Sequence, residues 1–423
     1  MMTTSRLEWV LLQFGRKLWV RASLFSVLAV ATAFVAILAK PYIPDDIQTK
    51  IGADAVDNVL GIIASSMLAV TIFSLSTMVA AFTAATNNVS PRATKLLMED
   101  STAQNALATF IGSFLFSVVG IVVLSTGAYG DGGRVVVFIV TIGVIIVIVL
   151  TLLRWIDHLS RLGRVGETTE KVEHATIKAM RGRIERPYLG GMRLDAEATP
   201  SGTVLPAFAD RIGYVQHVDA GALSELAEEA GGMVHIVALP GTFIDPSRPL
   251  AYCEGLDGEG VAEAAKAFTI GDERSFDQDP RFGLCVLSEI ASRALSTALN
   301  DPGTAIDVIG RAVRVLAVWS GHADQNGEAE AAYPRLRVRP VELDDLFDDV
   351  FTPIARDGAA VVEVHIRLQK ALLMLGRMEG ERFRANAIRH SQLALERAEA
   401  ALGIEHDRAI LRGLADRVSG LER

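Results

Sequence analysis

Residues 135–153 read VVVFIVTIGVIIVIVLTLL, a run with no charge and no proline. A helix rises 1.5 Å per residue, so about 20 apolar residues match the hydrocarbon thickness of a bilayer. Hydrocarbon offers the backbone no partner, and a helix satisfies its own N–H and C=O groups. A helix buried in a soluble core usually keeps one polar face, and this run has none. Outward from it, three more segments have the same character: about Ala22–Ala39, Val59–Ala85 and Ala106–Ser125. With Val135–Trp155 they make four predicted spans, and none has a charge within its apolar core. The first follows basic residues as a signal peptide would. Ile37-Leu38-Ala39 is a poor cleavage site, however, and further spans follow, so it reads as a retained helix.

Lysine and arginine near the helix ends set the orientation. Arg6, Arg16, Lys17 and Arg21 precede the first span, Arg92 and Lys95 follow the second, and Arg154, Arg161 and Arg164 follow the fourth. The loops around Asp45 and Asp131 are poorer in cations. The bias predicts a multi-pass membrane protein with its N-terminus and C-terminal region in the cytoplasm. A formal net charge of −9 over 423 residues gives no basic footprint for nucleic acid. Cys253 and Cys285 are the only cysteines and form no C-x-x-C pair, so neither a disulfide framework nor a metal cage is indicated.

The second span, GIIASSMLAVTIFSLSTMVAAFTAATNN, is dense in hydroxyls. At 100° per residue Ser65, Ser76, Thr83 and Asn87 share a narrow arc, with Ser66 and Thr77 beside it. Such a stripe lines a pore or allows close helix–helix packing. No span carries an ionisable relay of the kind proton-coupled transporters use. Ser90-Pro91 then starts a short amphipathic helix to about Asp100.

Beyond Trp155 the chain turns polar. Leu159, Leu162, Val165, Thr169, Val172, Thr176 and Ala179 recur at helical spacing, which predicts that the last span continues as a long amphipathic helix to about Ile184. Strands are expected at Arg211–Val218, Met233–Leu239 and within Phe243–Tyr252, with a helix capped by Asp219 between the first two. No glycine-rich phosphate loop is present. In RSFDQDPRFGLCVLSEIASRALSTALNDPGTAIDVIGRAV, from Arg274, two Asp-Pro pairs mark helix starts. Arg274, Asp277, Gln278, Asp279, Asn300, Asp301 and Thr304 are candidate ligands for an ion or small polar molecule. Equally, the two aspartates are N-caps that need no ligand. His365, His390 and His406 are too dispersed for a metal set, and no catalytic constellation or cofactor motif is visible.

The strings Asp277-Gln278-Asp279-Pro280-Arg281-Phe282-Gly283-Leu284, Ile290-Ala291-Ser292-Arg293-Ala294-Leu295-Ser296 and Asn300-Asp301-Pro302 resemble the hallmark of the predicted bacterial membrane proteins called domain of unknown function 2254. Gly213-Tyr214-Val215-Gln216, Pro240-Gly241-Thr242-Phe243, the second span and Ser90-Pro91-Arg92 are similar to the same family. Ser275, Thr297 and Gly303 depart from its pattern, which has Thr, Pro and a bulky residue there. The resemblance implies a bacterial inner-membrane protein and no particular activity.

The expected fold is an α-helical membrane domain of four transmembrane helices, 1–157, plus a cytoplasmic α+β domain. The latter comprises an amphipathic connecting helix and linker at 158–198, a small β-rich subdomain at 199–256 and a mainly helical subdomain at 257–423. Two functions fit. One is a homo-oligomeric ion channel or related conductance, with the second span lining the pore and the cytoplasmic domain gating it. The other is a membrane-anchored ligand-sensing or scaffold protein without transport activity.

Overall fold

The computed structural model describes residues 53–126, 130–194, 204–320, 331–378 and 380–422, and five isolated positions (23, 27, 30, 31 and 35). The first expected span, 22–39, thus lies outside the described residues apart from those positions. The chain divides into two compact units, one of Val10–Thr86 and Thr94–Glu167, the other of Met1–Trp9, Asn87–Ala93 and Thr168–Arg423.

Among the described residues, three helices of the smaller unit are long and apolar enough to cross a membrane: α1 (Ala53–Asn88), α3 (Ser101–Ser125) and α4 (Gly130–Leu159). A short helix, α2 (Pro91–Met98), lies between the first two in sequence. α3 begins ahead of its apolar run because Asp100 caps it, accepting hydrogen bonds from the Thr102 and Ala103 N–H groups at 2.9 and 3.0 Å. Met67, Met78, Leu107, Phe110 and Trp155 form the contact between the helices. The Trp155 indole N–H donates to Ser74 Oγ at 2.9 Å, a buried polar pair within that seam. Ile72, Phe73 and Val79 of α1 and Ile139, Ile146, Leu150 and Leu153 of α4 are exposed. A large apolar surface of this kind belongs in lipid.

α4 does not run on into the next helix, contrary to the sequence expectation. It stops at Leu159, and α5 (Val165–Glu185) starts afresh. Gly163 makes the break with φ of +81°, a left-handed turn that glycine adopts without steric cost. A Cβ there would lie 3.0 Å from both the Cβ and the carbonyl oxygen of Ala81.

The larger unit joins a β-rich part to a helical part. Its five-stranded sheet has the order β1-β8-β4-β6-β2, from β1 (Met192–Arg193), β2 (Val204–Phe208), β4 (Met233–Ile236), β6 (Pro249–Glu254) and β8 (Leu336–Val338). β8 pairs in parallel with both β1 and β4, and β6 is antiparallel to β4 and β2. A three-stranded antiparallel sheet has β3 (Gly213–Val218) between β5 (Phe243–Ile244) and β7 (Phe268–Gly271). Helices α6 (Ala220–Glu229) and α7 (Gly258–Lys266) pack with these strands around Val215, Leu223, Ile236, Leu250 and Cys253. Asp219 and Asp257 cap them by accepting from Ala222 N and Gly260 N. Six helices follow: α8 (Pro280–Ala294), α9 (Pro302–Trp319), α10 (Leu343–Asp357), α11 (Val362–Gly376), α12 (Glu381–Ala401) and α13 (Glu405–Ser419). Their core holds Phe347, Phe351, Leu372 and Phe383, all buried.

Candidate functional site

Three places were singled out by sequence or by shape, and they differ in how completely they are built. On α1, Ser65, Ser66, Ser76, Thr83 and Asn87 are exposed and Thr77 is half-buried, so the hydroxyl stripe points away from the helices of its own unit. Each bonded hydroxyl is satisfied by its own helix: Ser76 donates to Ile72 O at 2.9 Å, Thr77 to Phe73 O at 2.9 Å, Thr83 to Val79 O at 2.9 Å and Ser65 to Gly61 O at 3.0 Å. Ile72 and Val79 border that arc and are exposed too, so apolar side chains flank the polar surface. Among the described residues, no neighbouring helix buries most of the stripe.

The seven candidate ligands around the two Asp-Pro pairs separate into two groups. α8, with 15 residues, is about 22 Å long. Asp279 caps its first turn, accepting from the Arg281 and Phe282 N–H groups at 3.1 and 3.2 Å. Asp301 lies at the other end, where its N–H donates to Ala294 O at 2.8 Å. Asn300, exposed at φ of +48°, turns the chain, and Asp301 caps α9 through Thr304 N at 3.0 Å and Thr304 Oγ1 at 2.6 Å. Those bonds hold the Asp301 carboxyl below its ordinary range. Asn300, Asp301 and Thr304 thus form a local cap, remote from Arg274 and Asp279.

Around Asp279 the motifs of the sequence converge. Burial raises its carboxyl, and the Arg274 guanidinium, 2.8 Å away, pulls the other way. Arg274 also lies 5.0 Å over the Phe282 ring. Gly241, at φ of +93°, presses against Asp279 so closely that a Cβ would fall 2.1 Å from its Oδ2. Pro240-Gly241-Thr242-Phe243 and Asp277–Leu284 are therefore two sides of one contact. Gln278 adds a third link, its Oε1 accepting from the Val218 N–H at 3.0 Å. Ser90 Oγ donates to Glu289 Oε2 at 3.0 Å, and Arg92 pairs with the same carboxylate, so the turn after α1 is held to the middle of α8. Cys285 and Cys253 are inert at neutral pH, since burial pushes both thiols up to about 11.

Asp277 and Gln278 also border a cleft of about 560 Å³ along α5. Ile177, Ala179 and Leu189 supply apolar walls, and Val218 and Ala220 bring in the start of α6. Four cations line it, Lys178, Arg181, Arg183 and Arg186, against two carboxylates, Glu185 and Asp277. Arg183 is 7% exposed, and its Nη2 donates to the backbone oxygen of Gln278 at 3.2 Å. Burial lowers its guanidinium to about 10, with the nearby Asp279 acting against that shift. Sequence reasoning did not single out Arg183. The signal was present: Val172, Thr176 and Ala179 define the buried stripe of α5, and Arg183 is the next position on it.

A family model described as "Predicted membrane protein (DUF2254)" matches residues 15–374. Among curated proteins, uncharacterised proteins of Mycobacterium bovis and Mycobacterium tuberculosis are each 26% identical over 276 residues, covering 63% of this chain and 52% of theirs. The chain thus spans about half the length of the curated relatives it matches. No solved structure matches. With apolar helices of spanning length, the converging motifs around Asp279 and a family match over most of its length, the chain belongs to the predicted membrane proteins of the domain of unknown function 2254 family.

Proposed function

We propose that the protein is a membrane-anchored ligand-binding protein of the bacterial inner membrane, with the larger unit in the cytoplasm and the apolar helices as its anchor. The observation that carries this reading is the cleft along α5. It is concave, walled by apolar side chains and provided with a few converging polar groups, which is the usual make-up of a small-molecule site. Its orientation rests on the arginines and lysines at the helix ends, Arg154, Arg161 and Arg164 above all. Ligand-dependent stabilisation tests it. The full chain, purified in an uncharged detergent, is expected to gain thermal stability with at least one compound of an ion and metabolite panel. Filling the cleft with Ala179→Trp should abolish that gain. A panel with no effect sinks the reading.

The outward hydroxyl stripe favours a second reading, a homo-oligomeric conductance with Ser65, Ser66, Ser76, Thr77, Thr83 and Asn87 toward a shared axis. One copy has too few helices to enclose a pore, so a symmetric ring is required. Current across a planar bilayer that changes in Ser76→Phe would support it. Silent membranes under voltage, tension and pH steps would remove it.

A further inference from the structure

The charge of the α5 cleft names a class of ligand for the site proposed above, and the inference rests on that ligand-binding reading. Arg183 projects from the buried side of α5 and keeps a single described side-chain bond, to a neutral carbonyl. The nearest carboxylate of consequence, Asp279, is already paired with Arg274 at 2.8 Å and capping α8. A buried guanidinium with no carboxylate of its own is costly, and a bound anion is what removes the cost. Among the described residues, Lys178, Arg181 and Arg186 make no ion pair, so the rim adds three cations to the buried one. The lining holds two more cations than carboxylates. Apolar walls occupy the rest.

We propose that this cleft binds an organic phosphate dianion, with the phosphoryl group on the Arg183 fork, Lys178 and Arg181 at the rim, and an apolar body against Ile177, Ala179 and Leu189. A planar guanidinium suits two phosphoryl oxygens at once, and a dianion matches the excess charge. The phosphate belongs either to a soluble monoester or to the monoester headgroup of a lipid such as phosphatidate.

Binding to the full chain in uncharged detergent is measured with phenyl phosphate, with phenol as the neutral control. Phenyl phosphate is expected to bind saturably and to raise the unfolding temperature, while phenol does neither. The dissociation constant should weaken by roughly 10-fold or more in Arg183→Gln. Because Arg183 is buried and that variant risks misfolding, the exposed pair Lys178→Gln/Arg181→Gln gives an independent reading and should weaken binding and flatten its salt dependence. Nanodiscs containing phosphatidate separate the sources. Competition with phenyl phosphate supports a headgroup, and lack of competition supports a soluble ester; either result keeps the phosphate site. Absent or non-saturable phenyl phosphate binding, or binding unchanged in both variants, overturns the proposal. If a neutral compound stabilises the wild type and loses that effect in Ala179→Trp, while phenyl phosphate does not bind, the anion class fails and the ligand-binding reading stands.

Discussion

Glu173 on α5 accepts from Arg311 Nη1 at 2.8 Å and from Arg314 Nε and Nη2 at 2.5 and 2.9 Å, tying α5 to α9. Burial would raise this carboxyl; the Arg314 and Arg311 hydrogen bonds and charges outweigh it and lower it. Glu173→Ala removes one of the two carboxylates of the largely buried Arg311, which keeps its bond to Asp307 at 2.7 Å, and should cost about 1–3 kcal/mol in thermal or denaturant unfolding. Arg314 is more than half exposed, so Arg314→Ala should cost under about 1 kcal/mol. Two histidines give a second test at this scale. His365 is fully buried, with Nε2 within 3.2 Å of Ala355 O, and His390 lies against the Phe347 and Phe351 rings. Burial, helped by neighbouring arginines, lowers both to about 4 from 6.5. The native state therefore excludes protons that the unfolded chain accepts. Stability is complete above pH 6.5 and falls as the pH drops toward 4, by about 3 kcal/mol for each ring. Near pH 5 unfolding should take up about two protons on their account, and His365→Gln should remove one of them. Neither pattern was legible in the sequence. Glu173 and its arginines are separated by well over a hundred positions, and a lone histidine looks the same whether it is buried or solvated.

At the scale of elements, the legible features were those whose cause is local. Charge-free length identified α1, α3 and α4, although α3 starts at its Asp100 cap rather than where the apolar run begins. Both Asp-Pro pairs start helices, as capping chemistry requires. The strand β8 was missed, because it enters the middle of the five-stranded sheet about a hundred residues after its partner β4. The predicted continuity of α4 and α5 failed for a definable reason. The spacing of Leu159, Leu162 and Val165 is helical, but Gly163 between them takes a conformation that no helix contains. The dependence can be measured. Gly163→Ala forces a side chain into left-handed backbone and against Ala81, so it should cost about 1–2 kcal/mol or more. Gly166→Ala, three residues on, meets nothing within 4 Å inside a helix and should be neutral or slightly stabilising in the same thermal unfolding assay.

At the scale of the molecule, the arrangement proposed across the bilayer rests on charge placement and can be tested from the outside of a cell. Arg154, Arg161 and Arg164 flank the end of α4 proposed to be cytoplasmic, and the start of α4 carries Arg134 against Asp131. The native thiols provide a quiet background, because Cys253 is buried and both cysteines are pushed up to about 11, far from the reactive thiolate. A cysteine introduced outside the membrane should react with a membrane-impermeant maleimide in intact cells, and one introduced inside should react only after the membrane is opened. Asp131→Cys is expected to label in intact cells. Glu170→Cys, on α5, is expected to label only after lysis, like His406→Cys near the C-terminus. Labelling of Glu170→Cys in intact cells would place the α5 cleft outside the cytoplasm, and any organic phosphate it takes would then have to come from the external medium or the outer leaflet.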